Sequence, residues 1–466
     1  MRTFFSAEQL CDPHLAEAEN NLRACVHCGI CTATCPTYVL LGDERDGPRG
    51  RIVMMQAMLE QGGAPSPQTV LHVDRCLSCL ACSTACPSGV DYARLVDTAR
   101  AHIETHYRRP LRERILRWVI VNMLTRPALA GCGVALAKTF APIAKRLPGP
   151  LGAMARTALK VQTRTAPVPS VALGTDARRV ALMSGCVQQA LAPAIDQAIA
   201  RVLARRGLRV VPLAGCCGAL AHHLGKTGDS RIKAKRAIEA FEAAGDVDAV
   251  LIGATGCSAH LADTAHLFAG DPLWRERAEA FARKVKDFSA LAAPRPAKSQ
   301  RLRVAWQAPC SMQNSLHLAG EGAALLHAAG YDVCEIPEGH LCCGSAGSYS
   351  LLQPRIAGQL RSRKLANAAS TRADVIATAN IGCLNHLSGP DAPPIVHLAE
   401  LIDWAEGGPR PAALGEATFF GKERLSSPAS ANEVRAREGD PGGQAPRLLV
   451  GLDSLPLAPN RSLGRE

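Results

Sequence analysis

The chain has 466 residues, 47% hydrophobic and 20% charged, with a formal net charge of +12, which fits a soluble globular protein with two or three sizeable cores. Its nineteen cysteines do not suit a disulfide scaffold. The chain is long, and many of the cysteines stand three residues apart, a spacing that seldom bridges but sits well around one metal. Met1–Leu10 lacks the apolar run of a secretory signal, so a reducing, cytoplasmic setting is expected.

Residues 1–100 form the first expected domain, a helical module. It contains Cys25-x2-Cys28-x2-Cys31-x3-Cys35-Pro36 and its twin, Cys76-x2-Cys79-x2-Cys82-x3-Cys86-Pro87. This is the spacing of bacterial two-cluster ferredoxins, in which the fourth cysteine of each run ligates the other cluster. One 4Fe–4S cluster is therefore expected on Cys25, Cys28, Cys31 and Cys86, and a second on Cys76, Cys79, Cys82 and Cys35. Each tight Cys-x-x-Cys-x-x-Cys turn wraps three corners of a cube, and the prolines are expected to stop the loops from continuing as helix. The competing reading is a pair of structural zinc sites. Gly29, Ala33, Ser78, Ala81, Ser83 and Ala85 are short enough for backbone N–H groups to approach the sulfurs. His27 reads as a loop residue. Arg49 and Arg51 are candidates to offset cluster charge, with a plain surface turn as the alternative.

Residues 101–176 are expected to be a basic helical connector. Between Arg100 and Arg164 stand thirteen Arg or Lys residues against Glu104 and Glu113 alone. A solvated basic face is one reading. The other uses the apolar residues threaded through it, Ile115, Leu116, Trp118, Val119, Ile120, Met123 and Leu124: a basic amphipathic helix with a Trp suits an anionic membrane surface or an acidic partner. Arg126, Pro127 and Lys138 interrupt the apolar stretch too early for a membrane span. Thr163–Thr175, with Pro167 and Pro169, reads as a linker.

The chain then repeats itself. Cys186, Cys216-Cys217-Gly218 and Gly256-Cys257 form one copy, within residues 177–300. Cys310, Cys342-Cys343-Gly344 and Gly382-Cys383 form the other, within residues 301–406, and Cys217 to Cys257 equals Cys343 to Cys383 in length. In the first copy, strands are expected at Val180–Met183, Leu208–Leu213 and Ala249–Gly253, and helices at Ala192–Arg206 and Arg231–Ala243. In the second, strands are expected at Arg303–Trp306, Asp332–Ile336 and Val375–Ala379, and helices at Glu321–Ala329 and Gln353–Ala369. Alternating strand and helix predicts a parallel α/β unit per copy, with the cysteines just beyond the carboxyl ends of the strands. The fold class is thus multidomain, α+β and α/β. Two further metal sites are candidates, Cys186, Cys216, Cys217 and Cys257, and Cys310, Cys342, Cys343 and Cys383. Four thiolates suit iron–sulfur or zinc, with His260 and His386 as candidate fifth ligands. The alternative is a set of small buried residues at strand ends. Cys11, Cys132 and Cys334 have no partners at useful spacing and read as structural.

Residues 407–466 are Gly-, Pro- and Ser-rich and are expected to be disordered. No Gly-x-Gly-x-x-Gly after a strand, nucleophile elbow or Walker loop is present. No catalytic residue is assigned, so the chain is expected to move electrons and leave hydride chemistry to a flavin elsewhere.

Several stretches are similar to the iron–sulfur subunit of glycolate oxidase. They are Cys25 to Tyr38, Gly42-Asp43-Glu44, Pro48-Arg49-Gly50-Arg51, Asp74 to Cys79, Gly185 to Gln188, Cys342 to Gly347 and Ala379 to Cys383. The resemblance covers about residues 1–406, and the tail has no counterpart. It implies a complex with two FAD-containing subunits, in which glycolate becomes glyoxylate at FAD. Electrons then pass through this chain toward a membrane quinone or another non-oxygen acceptor. It also implies peripheral placement on the cytoplasmic face of the inner membrane, and no nucleic-acid partner is expected. The equivalent subunit of a lactate or glycerol-3-phosphate complex is an alternative, as is a heterodisulfide or quinone reductase with catalytic Cys-Cys-Gly metal sites. In heterodisulfide reductases these domains end in Cys-x-x-Cys and carry unusual clusters; here His260 and His386 stand where the final cysteine would be.

Overall fold

The computed structural model describes residues 1–146, 149–159, 177–290 and 302–415. The expected linker Thr163–Thr175, and residues 416–466 of the expected tail, lie outside them; residues 407–415 of that tail are ordered, contrary to expectation, because a 3-10 turn at Ala412–Leu414 buries Leu414 in the core of the repeats.

The first hundred residues are helical: α1 (Pro13–Ala24), α2 (Pro36–Leu41), α3 (Pro48–Gln61), α4 (Pro67–Asp74), α5 (Ala81–Thr84) and α6 (Tyr92–His106). Their starts are encoded locally. Asp12 accepts from the N–H groups of His14 and Leu15, Ser66 from that of Thr69, and Asp91 from that of Ala93, each satisfying donors with no partner inside the helix. Leu22, Met55, Leu59, Val73, Leu95, Val96 and Ile103 interlock as the core. One expectation is corrected here. Pro36 does not stop a helix but opens α2, with Cys35 as its N-cap, because proline's fixed φ and missing N–H suit a first helical position.

The connector bends through α7 (Leu111–Asn122), α8 (Pro127–Thr139), α9 (Ala141–Arg146) and α10 (Gly149–Leu159). Part of its positive charge is internal. Arg109 Nη1 lies 2.6 Å from Asp74 Oδ2, Arg117 Nη2 lies 3.2 Å from the same oxygen, and both arginines are buried. Ile120 and Val121 pack against Ala221 and Leu224, whereas Leu111, Ile115, Trp118, Leu136, Phe140 and Ile143 are each more than half exposed. Among the described residues no single helix is long and apolar enough to cross a membrane; α7 and α8 pass that test only as a pair bent by 113°.

Each repeat is a four-stranded parallel sheet. The first contains β1 (Arg179–Met183), β2 (Arg209–Leu213), β3 (Ala249–Ile252) and β4 (Val285–Asp287), in the order β2-β1-β3-β4. The second contains β5 (Arg303–Gln307), β6 (Asp332–Glu335), β7 (Val375–Thr378) and β8 (Ile395–His397), in the order β6-β5-β7-β8. The registers correspond: Val180 faces Val210 and Ala249, and Val304 faces Val333 and Val375. Inner strands β3 and β7 are buried throughout, while edge strands β2 and β6 are largely uncovered. Near-continuous aliphatic runs are what a strand covered on both faces requires.

The helices of the first repeat are α11 (Cys186–Leu191), α12 (Pro193–Arg205), α13 (Ala219–His223), α14 (Thr227–Ala243), α15 (Thr255–Ala262) and α16 (Pro272–Lys284). Those of the second are α17 (Glu321–Ala328), α18 (Tyr349–Leu352), α19 (Pro354–Ser370), α20 (Ile381–Leu387) and α21 (Leu398–Ala405). The two repeats share one core containing Val180, Val250, Val304 and Val375. Arg201 and Arg205 of α12 both reach the buried Asp403 of α21, at 2.6 and 2.5 Å. The strand ends also meet: the Thr255 N–H donates to Ala379 O, and Ser311 Oγ donates to Thr255 Oγ1 at 2.9 Å.

The first module is seated on this pair. Arg94 makes a two-pronged contact with Asp263, at 2.5 and 2.8 Å. Gly225 approaches α6 so closely that a Cβ there would lie 2.3 Å from Arg100 O, and its φ is +78°. Gly225→Ala is therefore expected to cost about 3 kcal/mol, read as a lower denaturation midpoint of the full chain.

Candidate metal centres

Two small cavities open inside the first module. One is lined by Cys25, Cys28, Cys31 and Cys86, with Arg49 and Ile52 behind them; the other is lined by Cys35, Cys76, Cys79 and Cys82, with Arg51 and Tyr92. Cys82 also borders the first cavity, so the two share a wall. The loops that make them carry matched left-handed residues, His27 and Gly29 in one run and Ser78 and Leu80 in the other. Such turns aim successive N–H groups inward and favour a negative group; the Ser78 N–H already lies 3.4 Å from Cys76 Sγ. At Ser78 and Leu80 the conformation is sterically costly for a residue with a Cβ. No carboxylate lines either cavity.

Burial, and then the neighbouring Cys25, pushes the Cys31 thiol up to about 11, and burial pushes Cys79 and Cys82 well above the usual thiol range. These groups become thiolates only with a compensating cation, which a bound metal supplies. The all-thiol donor sets, with no carboxylate beside them, fit iron–sulfur clusters.

Arg51 is almost wholly buried. Its Nε donates to His72 O at 2.7 Å and Nη2 to Thr37 Oγ1 at 3.0 Å, while Nη1 lies 3.8 Å from Cys35 Sγ. Asp46 stands behind it, 3.5 Å from Arg51 Nη2, 2.9 Å from His72 Nδ1 and 2.8 Å from Arg75 Nη1. Arg51 is thus an internal cation at the second cavity, and the surface-turn alternative does not describe it. Arg49 is partly exposed, pairs with Glu44 at 2.7 Å and reaches His27 O at 3.4 Å. Arg100, read only as the start of a basic segment, donates to Ser78 Oγ and Cys76 O at 2.5 and 2.6 Å. Nothing in its local sequence marks this role.

In the first repeat, Cys186 Sγ lies 3.3 Å from Cys216 Sγ and Cys217 Sγ lies 3.1 Å from Cys257 Sγ. In the second, Cys310 and Cys342 are 3.8 Å apart, and Cys343 and Cys383 are 3.3 Å apart. The structure therefore gathers each set at the carboxyl ends of its sheet. The shared hydrogen bond raises the pKa of Cys186 and lowers that of Cys216. Burial lowers the His260 imidazole, and its Nε2 faces Ser230 Oγ at 3.3 Å, while His386 Nε2 faces Ala357 O at 3.2 Å. Both imidazoles border the same cavity as the first repeat's thiols, and a Cβ at Gly344 would lie 3.1 Å from His386 Nε2. Cys334 lies in β6 with its Sγ on Val304 O, and Cys11 and Cys132 are exposed.

The two thiol sets face different surroundings. Cys342, Cys343 and Cys383 pack with Leu77 and Cys79 in one cluster, and Asn314 Nδ2, beyond Cys310, donates to Cys79 O at 2.8 Å. The second repeat thus abuts the second cavity. The first repeat's thiols line a larger cavity with His222 and His223, which Cys310 of the second repeat also borders. His222 Nε2 lies 2.9 Å from Asp97 Oδ2. Burial opposes charge on His222, but Asp97 outweighs it and raises the imidazole's pKa.

Eight thiols around two adjoining cavities and two thiol-bearing parallel sheets define an iron–sulfur protein. Family models agree: a 4Fe-4S dicluster domain matches residues 24–90, and a cysteine-rich domain matches residues 180–262 and 304–388. The chain is 37% identical to the glycolate oxidase iron-sulfur subunit of Escherichia coli over 87% of its length and 99% of the relative's. It is 33% identical to the probable glycolate oxidase iron-sulfur subunit of Bacillus subtilis over 84% and 95%. Lactate utilization protein A of an Exiguobacterium species is 30% identical over 48% of this chain and 96% of its own. A solved hypothetical protein from Helicobacter pylori superposes with a TM-score of 0.49 at 9% identity, over 87% of this chain and 74% of its own. The chain belongs to the family of glycolate oxidase iron–sulfur subunits.

Proposed function

We propose that this chain is the electron-transfer subunit of a complex that oxidises glycolate to glyoxylate at FAD on two partner subunits, with a membrane quinone as acceptor. The observation that carries the reading is the pair of adjoining four-thiol cavities, with the second repeat's thiols packed against one of them. Cys25, Cys28, Cys31 and Cys86 would hold one 4Fe–4S cluster, and Cys76, Cys79, Cys82 and Cys35 the other. Such clusters supply one-electron transfer when bound. Around them, Arg51 offsets negative charge at Cys35, and the left-handed loop residues aim their N–H groups inward. The Cys186 and Cys310 sets would hold further iron–sulfur or zinc sites. We divide the chain into a cluster module (1–100), a connector (101–176), two repeats (177–300 and 301–406) and a tail (407–466). The connector's exposed apolar face and its Arg and Lys residues support peripheral contact with the cytoplasmic side of a membrane.

The test is iron, sulfide and zinc analysis of the anaerobically purified full chain. The first module should bring about eight irons with matching sulfide. That yield should persist when Cys186, Cys216, Cys217, Cys257, Cys310, Cys342, Cys343 and Cys383 are all replaced by serine. Zinc without sulfide in that variant would overturn the assignment. The relation to lactate utilization protein A gives lactate as a second substrate, and assays of the complex with glycolate and L-lactate separate the two.

A further inference from the structure

Lys364 of α19 is only 2% exposed. A lysine is almost never so buried unless an anion pairs with it, because an uncompensated interior charge is costly. Among the described residues no carboxylate forms an ion pair with it. Its Nζ donates to Glu338 O at 2.9 Å, while the Glu338 carboxylate is taken by Arg363 and Asn367. What α19 packs against is the second repeat's thiol set. A Cβ at Gly344, in the Cys342-Cys343-Gly344 turn, would lie 2.7 Å from Ala357 O and 3.0 Å from Leu360 Cβ. Lys364 follows those two residues at helical spacing, on the same face. Leu360 and Leu365 share a buried cluster with Cys342, Cys343 and Cys383, and the carbonyl that holds Nζ belongs to the turn leading to Cys342. Burial lowers the pKa of the ammonium, and the charges of Cys343, Cys342 and Cys383 act against that.

The first repeat has no such cation at the matching place. Its α14, like α19, has seventeen residues, and Ser230 and Ala357 are each the fourth of their helix. A Cβ at Gly218 would meet Ser230 Oγ at 2.9 Å, much as one at Gly344 meets Ala357. In this register the place of Lys364 is taken by Ala237, which is wholly buried, and Lys233 and Lys235 of α14 are only partly buried. Four thiolates carry more negative charge than one zinc ion or one 4Fe–4S core returns, so a filled site in the second repeat is an anion on either chemistry. We propose that Lys364 is the internal counter-cation of the metal centre held by Cys310, Cys342, Cys343 and Cys383, an inference that rests on the reading of those thiols as a metal site. An ammonium has no lone pair, so Lys364 is a positioning residue and not a ligand. The filled centre offsets its charge, and the empty site leaves that charge uncompensated. The two repeats, alike in their thiols, thus differ in electrostatics, and the second is the one built around a resident anion.

The metal of this site is read as a difference in iron, sulfide and zinc. One sample is the anaerobically purified full chain, and the other is the same chain with Cys310, Cys342, Cys343 and Cys383 replaced by serine. Lys364→Met nearly keeps the side chain's length and deletes its charge, and Glu338 O retains the Leu341 N–H at 3.0 Å. In Lys364→Met that increment of metal should be lost to a chelator about tenfold faster, the usual scale for removing a partner just outside the ligands, with the first module's iron unchanged. Denaturation midpoints separate charge from packing through a double-mutant cycle. Lys364→Met should lower the midpoint of the loaded chain, yet leave unchanged or raise that of the four-serine chain, where the cation has nothing to offset. An equal fall in both backgrounds, or wild-type retention of the metal, overturns the counter-cation and leaves the metal site standing. If the four-serine chain holds as much metal as the wild type, the second repeat has no centre, and the metal reading of those thiols falls as well.

Discussion

Cys35→Ala is expected to remove about half of the first module's iron and to spare the site formed by Cys25, Cys28, Cys31 and Cys86. Cys35 follows Cys31 closely in sequence, yet it lines the cavity of Cys76, Cys79 and Cys82. The path of the chain explains this. Cys35 caps α2, so its side chain leaves the first loop and turns toward Thr37 and Arg51, with Sγ 3.3 Å from Thr37 Oγ1. The variant should lose one of two cluster signals in low-temperature electron paramagnetic resonance of the reduced protein. Cys86→Ala should lose the other. If each replacement instead removed the cluster of its own run, ligation would be uncrossed and the grouping of thiols by cavity would have misled us.

Arg51→Met should have the next largest effect. The substitution nearly preserves side-chain length but deletes a buried cation that Thr37, His72 O and Asp46 all use. Asp46 would keep His72 and Arg75, so the loss is expected to be about 3 kcal/mol, at the lower end for breaking a buried ion pair. The electrostatic consequence is separate. A positive charge 3.8 Å from Cys35 Sγ favours the reduced, more negative state of a cluster ligated there, so its removal should lower that centre's reduction potential. Redox titration followed by electron paramagnetic resonance reads this directly. An unchanged potential in a folded, fully loaded variant would show that Arg51 is a structural cation only.

Local patterns carried much of the fold into the sequence. The inner strands were readable because β1, β3, β5 and β7 are aliphatic runs covered on both faces. The principal repeat helices were readable because each fills the interval between one strand and the next. The outermost strands β4 and β8 were not foreseen: three residues each, they are too short to show a period and exist only by pairing with β3 and β7. Pro36 was misjudged because proline both ends and begins helices, and the choice depends on the Cys35 cap. For the thiols, short spacings announced metal chemistry, and the shared register of the two repeats announced paired sites. The surroundings of those thiols were hidden in part. Arg51 stood among the candidates, and Cys35, Thr37 and Asp46 lie near it in sequence; Arg100 and the Asp97–His222 pair acquire their roles from partners on more distant elements.

The interleaving of the two cavities in the first module also bears on how the protein is made. The cavity begun by the earliest cysteines lacks its fourth thiol until Cys86 has been synthesised, by which time every other thiol of the neighbouring cavity exists as well. A nascent chain that stops short of Cys86 therefore offers three-thiol loops and no closed cradle for the first site. Both cavities complete their thiol sets almost together, so that filling them would be coupled to completion of the module.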